Sequence, residues 1–314
     1  MGSNEQLTKR ILQGDRAAVA RAISIVEDER ADARDLLKKI YPSTGRAYRV
    51  GITGPPGAGK STITNKLARI YRVAGKRIGI IAVDPTSPFS GGALLGDRVR
   101  MTDVELDENV FIRSMASRGS FGGLSKKAKE AADVLDAGGC DVILMETVGV
   151  GQSELDIVRA ADTTIVVLVP ESGDSIQAMK AGLMEIADFF VVNKSDRAGA
   201  EQTARSIKTA LGFKSSSNGW SPDVVLTMAN EGKGIDLVVD MIDTHRRFLD
   251  DHHLLQKKRG ERLVERIREL VEEHLRIEFW DEARSKMLES KIDQVLTQRL
   301  SPYDVVEDLL TMFK

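Results

Sequence analysis

The run Gly54-Pro55-Pro56-Gly57-Ala58-Gly59-Lys60-Ser61 constrains this chain more than any other feature. It fits G-x-x-x-x-G-K-[ST], a loop whose successive backbone N–H groups form one concavity for phosphate oxygens. Such a loop needs a buried strand before it and a helix after it. The apolar run 48–53 precedes it, and 61–74 carries helical spacing after it. The following helix offers its positive end to a phosphate. Lys60 is placed to reach the β and γ phosphates of a nucleotide. The Ser61 hydroxyl is placed to ligate Mg²⁺ and Thr62 to join the phosphate contacts.

The neighbouring segments agree with that fold. Short runs rich in Val and Ile recur at 48–53, 77–83, 110–113, 141–147, 163–169, 189–193 and 223–227. Several are apolar throughout, as strands covered on both faces are. The expected fold class is α/β: a doubly wound, mostly parallel sheet from 48 to 250, with helical extensions at both ends. Residues 1–47 read as an N-terminal helical segment. Asp15 is placed to cap a helix carrying Ala18, Ala22, Ile25 and Val26, and Tyr41-Pro42 ends the pattern. Residues 251–314 read as a charged helical arm. Leu263, Ile267, Leu270, Val271 and Leu275 form one apolar stripe, and Met287, Ile292, Val295 and Leu296 a looser one. Either can pack on the α/β domain or on a second copy of the chain. Ser301-Pro302 is a good start for a last helix.

Two further constellations bear on chemistry. A Mg²⁺-nucleotide site needs carboxylates at the ends of neighbouring strands. Asp84 and Glu146 end such runs, and Asp97 sits in a glycine-rich loop. Mg²⁺ takes few protein ligands and keeps waters, so some of these act through water. Val191-Val192-Asn193-Lys194-Ser195-Asp196 ends a buried run with Asn-Lys-x-Asp. The Asp196 carboxylate can accept from guanine N1–H and the exocyclic amine. Adenine offers neither donor there, so guanine is the expected base. The apolar stem of Lys194 is expected over the base plane.

Composition removes several other classes. Lys plus Arg is 45 against 47 Asp plus Glu, a net −2, which gives no support for nucleic-acid or membrane-surface binding. The single cysteine, Cys140, excludes an intrachain disulfide framework and reads as a small buried filler. No run approaches the ~18 apolar residues of a membrane span. The first residues lack a basic start followed by an apolar stretch, so no signal peptide is expected and a cytoplasmic location is.

The segments between the sites carry a family resemblance. These are Ala82-Val83-Asp84-Pro85-Thr86-Ser87-Pro88, Gly91-Gly92-Ala93-Leu94-Leu95-Gly96-Asp97-Arg98, Glu146-Thr147-Val148-Gly149-Val150-Gly151-Gln152-Ser153-Glu154 and 173–182. Together they resemble the MeaB/ArgK family. These are GTPases associated with adenosylcobalamin-dependent methylmalonyl-CoA mutase, formerly called kinases of the lysine/arginine/ornithine transport system. The likeness runs from about residue 7 to 250. It implies a P-loop fold of the SIMIBI class and a homodimer held partly by the C-terminal arm. It implies Lys60, Asp84, Asp97 and Glu146 as the catalytic and Mg²⁺ cluster, with Ser61 among the metal ligands. It also implies a coupling loop, with Asp174, Gln177 and Lys180, that signals to the mutase. The family's second base-binding loop normally carries Ser-Ala or Ser-Gly. Here Met228-Ala229-Asn230 stands there, leaving the backbone to contact guanine O6. Metal-delivering cousins use Cys-rich or His-rich motifs, whereas His252-His253 reads as a solvated pair.

The resulting expectation is a GTPase acting as a regulatory chaperone of an adenosylcobalamin-dependent acyl-CoA mutase. It would gate cofactor loading or protection, with Mg²⁺ and GTP as its only small-molecule requirements. The rivals are a nucleotide-dependent scaffold with incidental hydrolysis and a kinase of a basic amino-acid transport system. The kinase reading lacks the protein-kinase glycine loop, Asp-Asn pair and D-F-G.

Overall fold

The computed structural model describes residues 3–84, 104, 106–116, 126–147, 159–170, 182–212 and 219–313, with Ser3, Asp84, Ala116 and Lys126 by backbone alone. They fall into two compact units, 1–255 and 256–314.

The first unit is built on seven parallel strands. These are β1 (Tyr48–Thr53), β2 (Ile78–Asp84), β3 (Val110–Ala116), β4 (Val142–Glu146), β5 (Thr163–Leu168), β6 (Phe189–Asn193) and β7 (Val224–Thr227). Their order is β3-β2-β4-β1-β5-β6-β7, and every pairing is parallel. All seven expected runs are therefore strands of one doubly wound sheet. The order reverses around β1, and ligands of such sheets bind at the carboxyl ends near that switch point. β1 ends in the glycine loop. Its neighbours are β4, which pairs Ile52 with Glu146, and β5, which pairs Thr53 with Val166.

The strands are apolar throughout because alternate side chains feed different cores. Val50, Ile52, Ile80, Leu144, Ile165 and Val191 face α4 (Lys60–Val73) and α8 (Ile235–Asp251). Their neighbours Ile81, Val83, Ile143 and Met145 face the other way. There they pack with α1 (Ser3–Leu12), α2 (Arg16–Glu27), α3 (Ala33–Ile40) and α5 (Lys126–Ala137). The N-terminal helices thus share a core with the sheet. Beyond β1, Val166, Leu168, Phe190 and Val192 pack against α6 (Leu183–Ile186) and α7 (Ala200–Gly212). Asp15 caps α2 by accepting from Ala18 N at 3.0 Å, and α3 stops at Ile40 before a short 3₁₀ turn, Tyr41–Ser43. At the far end of the sheet from the glycine loop, buried His245 ties α8 to the strands. Its Nδ1 lies 2.8 Å from Thr163 Oγ1, which is itself 2.6 Å from the Tyr48 hydroxyl.

The second unit comprises most of α9 (Leu254–Phe279), with α10 (Glu282–Leu296) and α11 (Pro302–Thr311). Ser301 and Asp304 close a reciprocal capping box with Pro302 at the first helical position. Arg284 lies over the rings of Phe279 and Phe313, 5.2 Å from each centroid. Along the α9 stripe Ile267 is 51% exposed, Val271 50% and Leu275 46%. Trp280, Leu288, Ile292, Val295, Val305 and Leu309 line an apolar groove of about 420 Å³. Among the described residues no helix is long and apolar enough to cross a membrane.

Candidate functional site

The glycine loop leaves β1 through backbone only glycine accepts. Gly54 has φ +133°, and a Cβ there would lie 2.0 Å from the Val167 carbonyl oxygen. Gly59, directly before α4, has φ +92°, and a Cβ there would lie 2.3 Å from Asn193 Nδ2. These two positions press the loop against β5 and against the end of β6. Pro56 and Gly57 are exposed at the tip, whereas Ala58 is buried and Pro55 half-buried beneath it. Lys60 is 6% exposed and curls back, donating from Nζ to the carbonyls of Gly54 (2.9 Å) and Pro55 (3.0 Å). The ammonium is thereby held inside its own loop. With three donors it can exchange part of this tether for phosphate oxygens. Thr62 is half-buried on the first turn of α4.

Below the loop, Glu146 is 3% exposed at the end of β4. Ser61 Oγ donates to its Oε1 at 2.6 Å, and Thr64 Oγ1 approaches its Oε2 at 3.1 Å. Beside this cluster, the Thr53 and Thr147 hydroxyls lie 2.8 Å apart and Thr147 N donates to Ile52 O at 3.1 Å. The root of the glycine loop is thus clamped to the strand end that carries Glu146. The Ser61 hydroxyl and the carboxylate make a compact, buried, all-oxygen donor set at a helix N-terminus. Hard oxygen donors of this kind fit Mg²⁺. Asp84 ends β2, two residues beyond Ala82, which pairs with Glu146. Its side chain lies outside the described residues, as do Asp97 and the loop residues Asp174, Gln177 and Lys180.

The second half of the site is braced by Asn193. Its Nδ2 donates to Ala58 O at 2.9 Å, and its Oδ1 accepts from Thr227 Oγ1 (3.1 Å) and Ala229 N (3.0 Å). One buried amide therefore joins the glycine loop to the ends of β6 and β7. Lys194 takes the left-handed conformation, φ 57°, and its Nζ donates to Gly57 O at 2.8 Å, so its stem spans from β6 to the loop tip. Asp196 is exposed just beyond. Met228 is half-buried, and its backbone pairs with Lys233 (3.0 and 3.2 Å). Ala229 is buried and Asn230 exposed, in a short 3₁₀ turn. With Met228 at this turn, Thr227 and the Ala229 backbone supply the anchor to Asn193.

Sequence reasoning did not single out Thr53, Thr64, Thr147 or Thr227. For Thr64 a signal existed: it stands three residues after Ser61, on the same helical face. The other three matter through partners on distant strands.

The family model described as methylmalonyl Co-A mutase-associated GTPase MeaB matches residues 19–284. The chain is 49% identical over 309 residues to a protein of Pyrococcus abyssi provisionally named a GTPase, covering 98% of this chain and 95% of that one. It is 34% identical over 335 residues to the mitochondrial methylmalonic aciduria type A homolog of Mus musculus, covering 99% and 79% respectively. A crystal structure of a LAO/AO transport system kinase superposes with a TM-score of 0.76 at 29% identity, covering 100% of this chain and 99% of that one.

Proposed function

The chain belongs to the MeaB family of methylmalonyl-CoA mutase-associated GTPases, and on that basis we propose that it hydrolyses GTP to gate cofactor loading, or cofactor protection, of an adenosylcobalamin-dependent acyl-CoA mutase. Its fold is that of a P-loop GTP hydrolase. The observation that carries the regulatory reading is the match to a family described by its association with that mutase, over residues 19–284. The name of the mouse relative, which refers to methylmalonic aciduria, points the same way. Either the methylmalonyl-CoA mutase or a close relative is the partner of this reading.

The residues divide the work as follows. Asp196 accepts from guanine N1–H and N2, and Asn193 keeps the base loops and the phosphate loop in one register. The turn at Met228, Ala229 and Asn230 closes over the base edge through its backbone. Backbone N–H groups from Gly57 to Thr62 cradle the phosphates, and Lys60 neutralises the β and γ oxygens. This is positioning and charge stabilisation, which is most of phosphoryl-transfer catalysis. Ser61 and Glu146, with Asp84 and Asp97, would hold Mg²⁺. When bound, the ion spreads the charge that develops on the β- and γ-phosphate oxygens. Asp174, Gln177 and Lys180 follow β5 and would read the nucleotide state out to the mutase. The exposed α9 stripe would be covered by a second copy of the chain.

Steady-state GTP turnover with and without the mutase from the same organism tests the reading. Slow turnover alone, raised roughly tenfold or more by the mutase and nearly abolished by Lys60→Ala, is the expected result. Turnover indifferent to the mutase, with no co-elution of the two proteins, would remove the regulatory role. It would leave a GTPase with another partner.

A further inference from the structure

We propose that Thr64 is a positioning residue that holds the Glu146 carboxylate toward the metal side of the phosphate site. The inference rests on the reading of Glu146 as a metal-facing group. Ser61 and Thr64 lie three residues apart on α4, so their hydroxyls point from one helical face. The end of β4 presents Glu146 to that face. Each hydroxyl takes one carboxylate oxygen: Ser61 Oγ to Oε1 at 2.6 Å, Thr64 Oγ1 to Oε2 at 3.1 Å. Two contacts on two oxygens fix the plane of a carboxylate.

The two hydroxyls are not equivalent. Ser61 sits beside the phosphate cradle, and in the proposed site it must also offer its lone pairs to the cation. Thr64 is fully buried one turn further along α4 and has no such second duty. Its single hydrogen can go either to Glu146 Oε2 or to the Lys60 carbonyl oxygen, 3.0 Å away. The carboxylate is the stronger acceptor because it is charged. Thr64 can therefore keep its hold on Glu146 while Ser61 turns to the metal. Groups that orient a metal-side carboxylate from behind are worth about 10- to 100-fold in metal affinity or activity when removed. The threonine methyl is retained by valine, so Thr64→Val removes the donor with almost no change of shape.

The test uses the full chain with Thr64→Val, Thr64→Ser and Glu146→Gln. The main readout is the Mg²⁺ concentration that half-maximally slows release of a fluorescent GDP analogue. GDP affinity in EDTA, melting temperature and GTP turnover are measured alongside. Thr64→Val should raise the half-maximal Mg²⁺ concentration about 10- to 100-fold and leave GDP affinity in EDTA unchanged. Thr64→Ser should restore the wild-type value. A Thr64→Val protein with wild-type Mg²⁺ dependence overturns the proposal, whatever its melting temperature; should valine prevent folding, Thr64→Ala is read in the same way. Glu146→Gln separates the two levels. If it too has wild-type Mg²⁺ dependence and turnover, the metal-facing reading of Glu146 fails. If it is impaired while Thr64→Val is normal, only the positioning role fails.

Discussion

Asp196 and Cys140 show how much a residue's surroundings decide its chemistry. Asp196 is exposed at the lip of the site, held there by Lys194 in a left-handed turn. Its carboxylate is therefore available to a ligand rather than spent within the fold. Asp196→Asn is expected to weaken GDP binding by roughly a hundredfold or more and to favour the xanthine nucleotide, whose O2 accepts from the new amide. Competition between GDP and XDP for one fluorescent analogue checks this. Equal affinity of the wild type for GDP and ADP would refute the base assignment. Cys140 is the opposite case. Burial pushes its thiol up to about 12, outweighing the nearby Arg77. Little thiolate exists near neutrality, so a disulfide reagent at pH 8 should modify the native protein far more slowly than the urea-unfolded chain. Equal rates would show that the site opens readily.

The elements hold their places through their ends as much as through their faces. α2 and α11 both begin where a short polar side chain meets the backbone N–H three residues on. In α11 the bond is reciprocal, since Asp304 Oδ2 also accepts from Ser301 N at 2.8 Å. Ser301→Ala should cost about 1 kcal/mol of stability, read as a shift of the urea midpoint for the C-terminal unit. An unmoved midpoint would mean that packing of Val305 and Leu309 alone holds this helix. α4 begins differently, behind Gly59 with no side-chain cap. No capping side chain stands between its N-terminus and a phosphate, because a glycine rather than a serine precedes it.

At the scale of the whole molecule the apolar stripe of α9 carries the homodimer reading. Leu263, Ile267, Leu270, Val271 and Leu275 recur at helical spacing yet are each more than a third exposed. A stripe this long on a helix of 26 residues normally faces a partner surface. If a second copy covers it, Ile267→Glu with Val271→Glu should shift the full chain from dimer to monomer by light scattering. The melting temperature of the sheet unit should hardly change, since both side chains are already half in solvent. A wild type that is monomeric at micromolar concentration would remove the homodimer from the proposed function.

The parts whose cause is local were legible in the residues alone. The glycine loop, the buried strands and the Asn-Lys-x-Asp turn each follow from residues within about ten positions, because backbone dihedrals and side-chain period act over that range. All seven apolar runs became strands for this reason. Tertiary structure alone decided which strand ends meet. β4 inserts between β2 and β1, bringing Glu146 to Ser61 across 85 positions of chain. Asn193 reaches Ala58 across 135. The motif marked Asn193 as part of a base site, yet its braces to Ala58, Thr227 and Ala229 were not legible in it. Nor did any pattern mark Thr64 as a partner of Glu146. Loop closure and burial set those meetings, and they depend on the whole sheet rather than on any one segment.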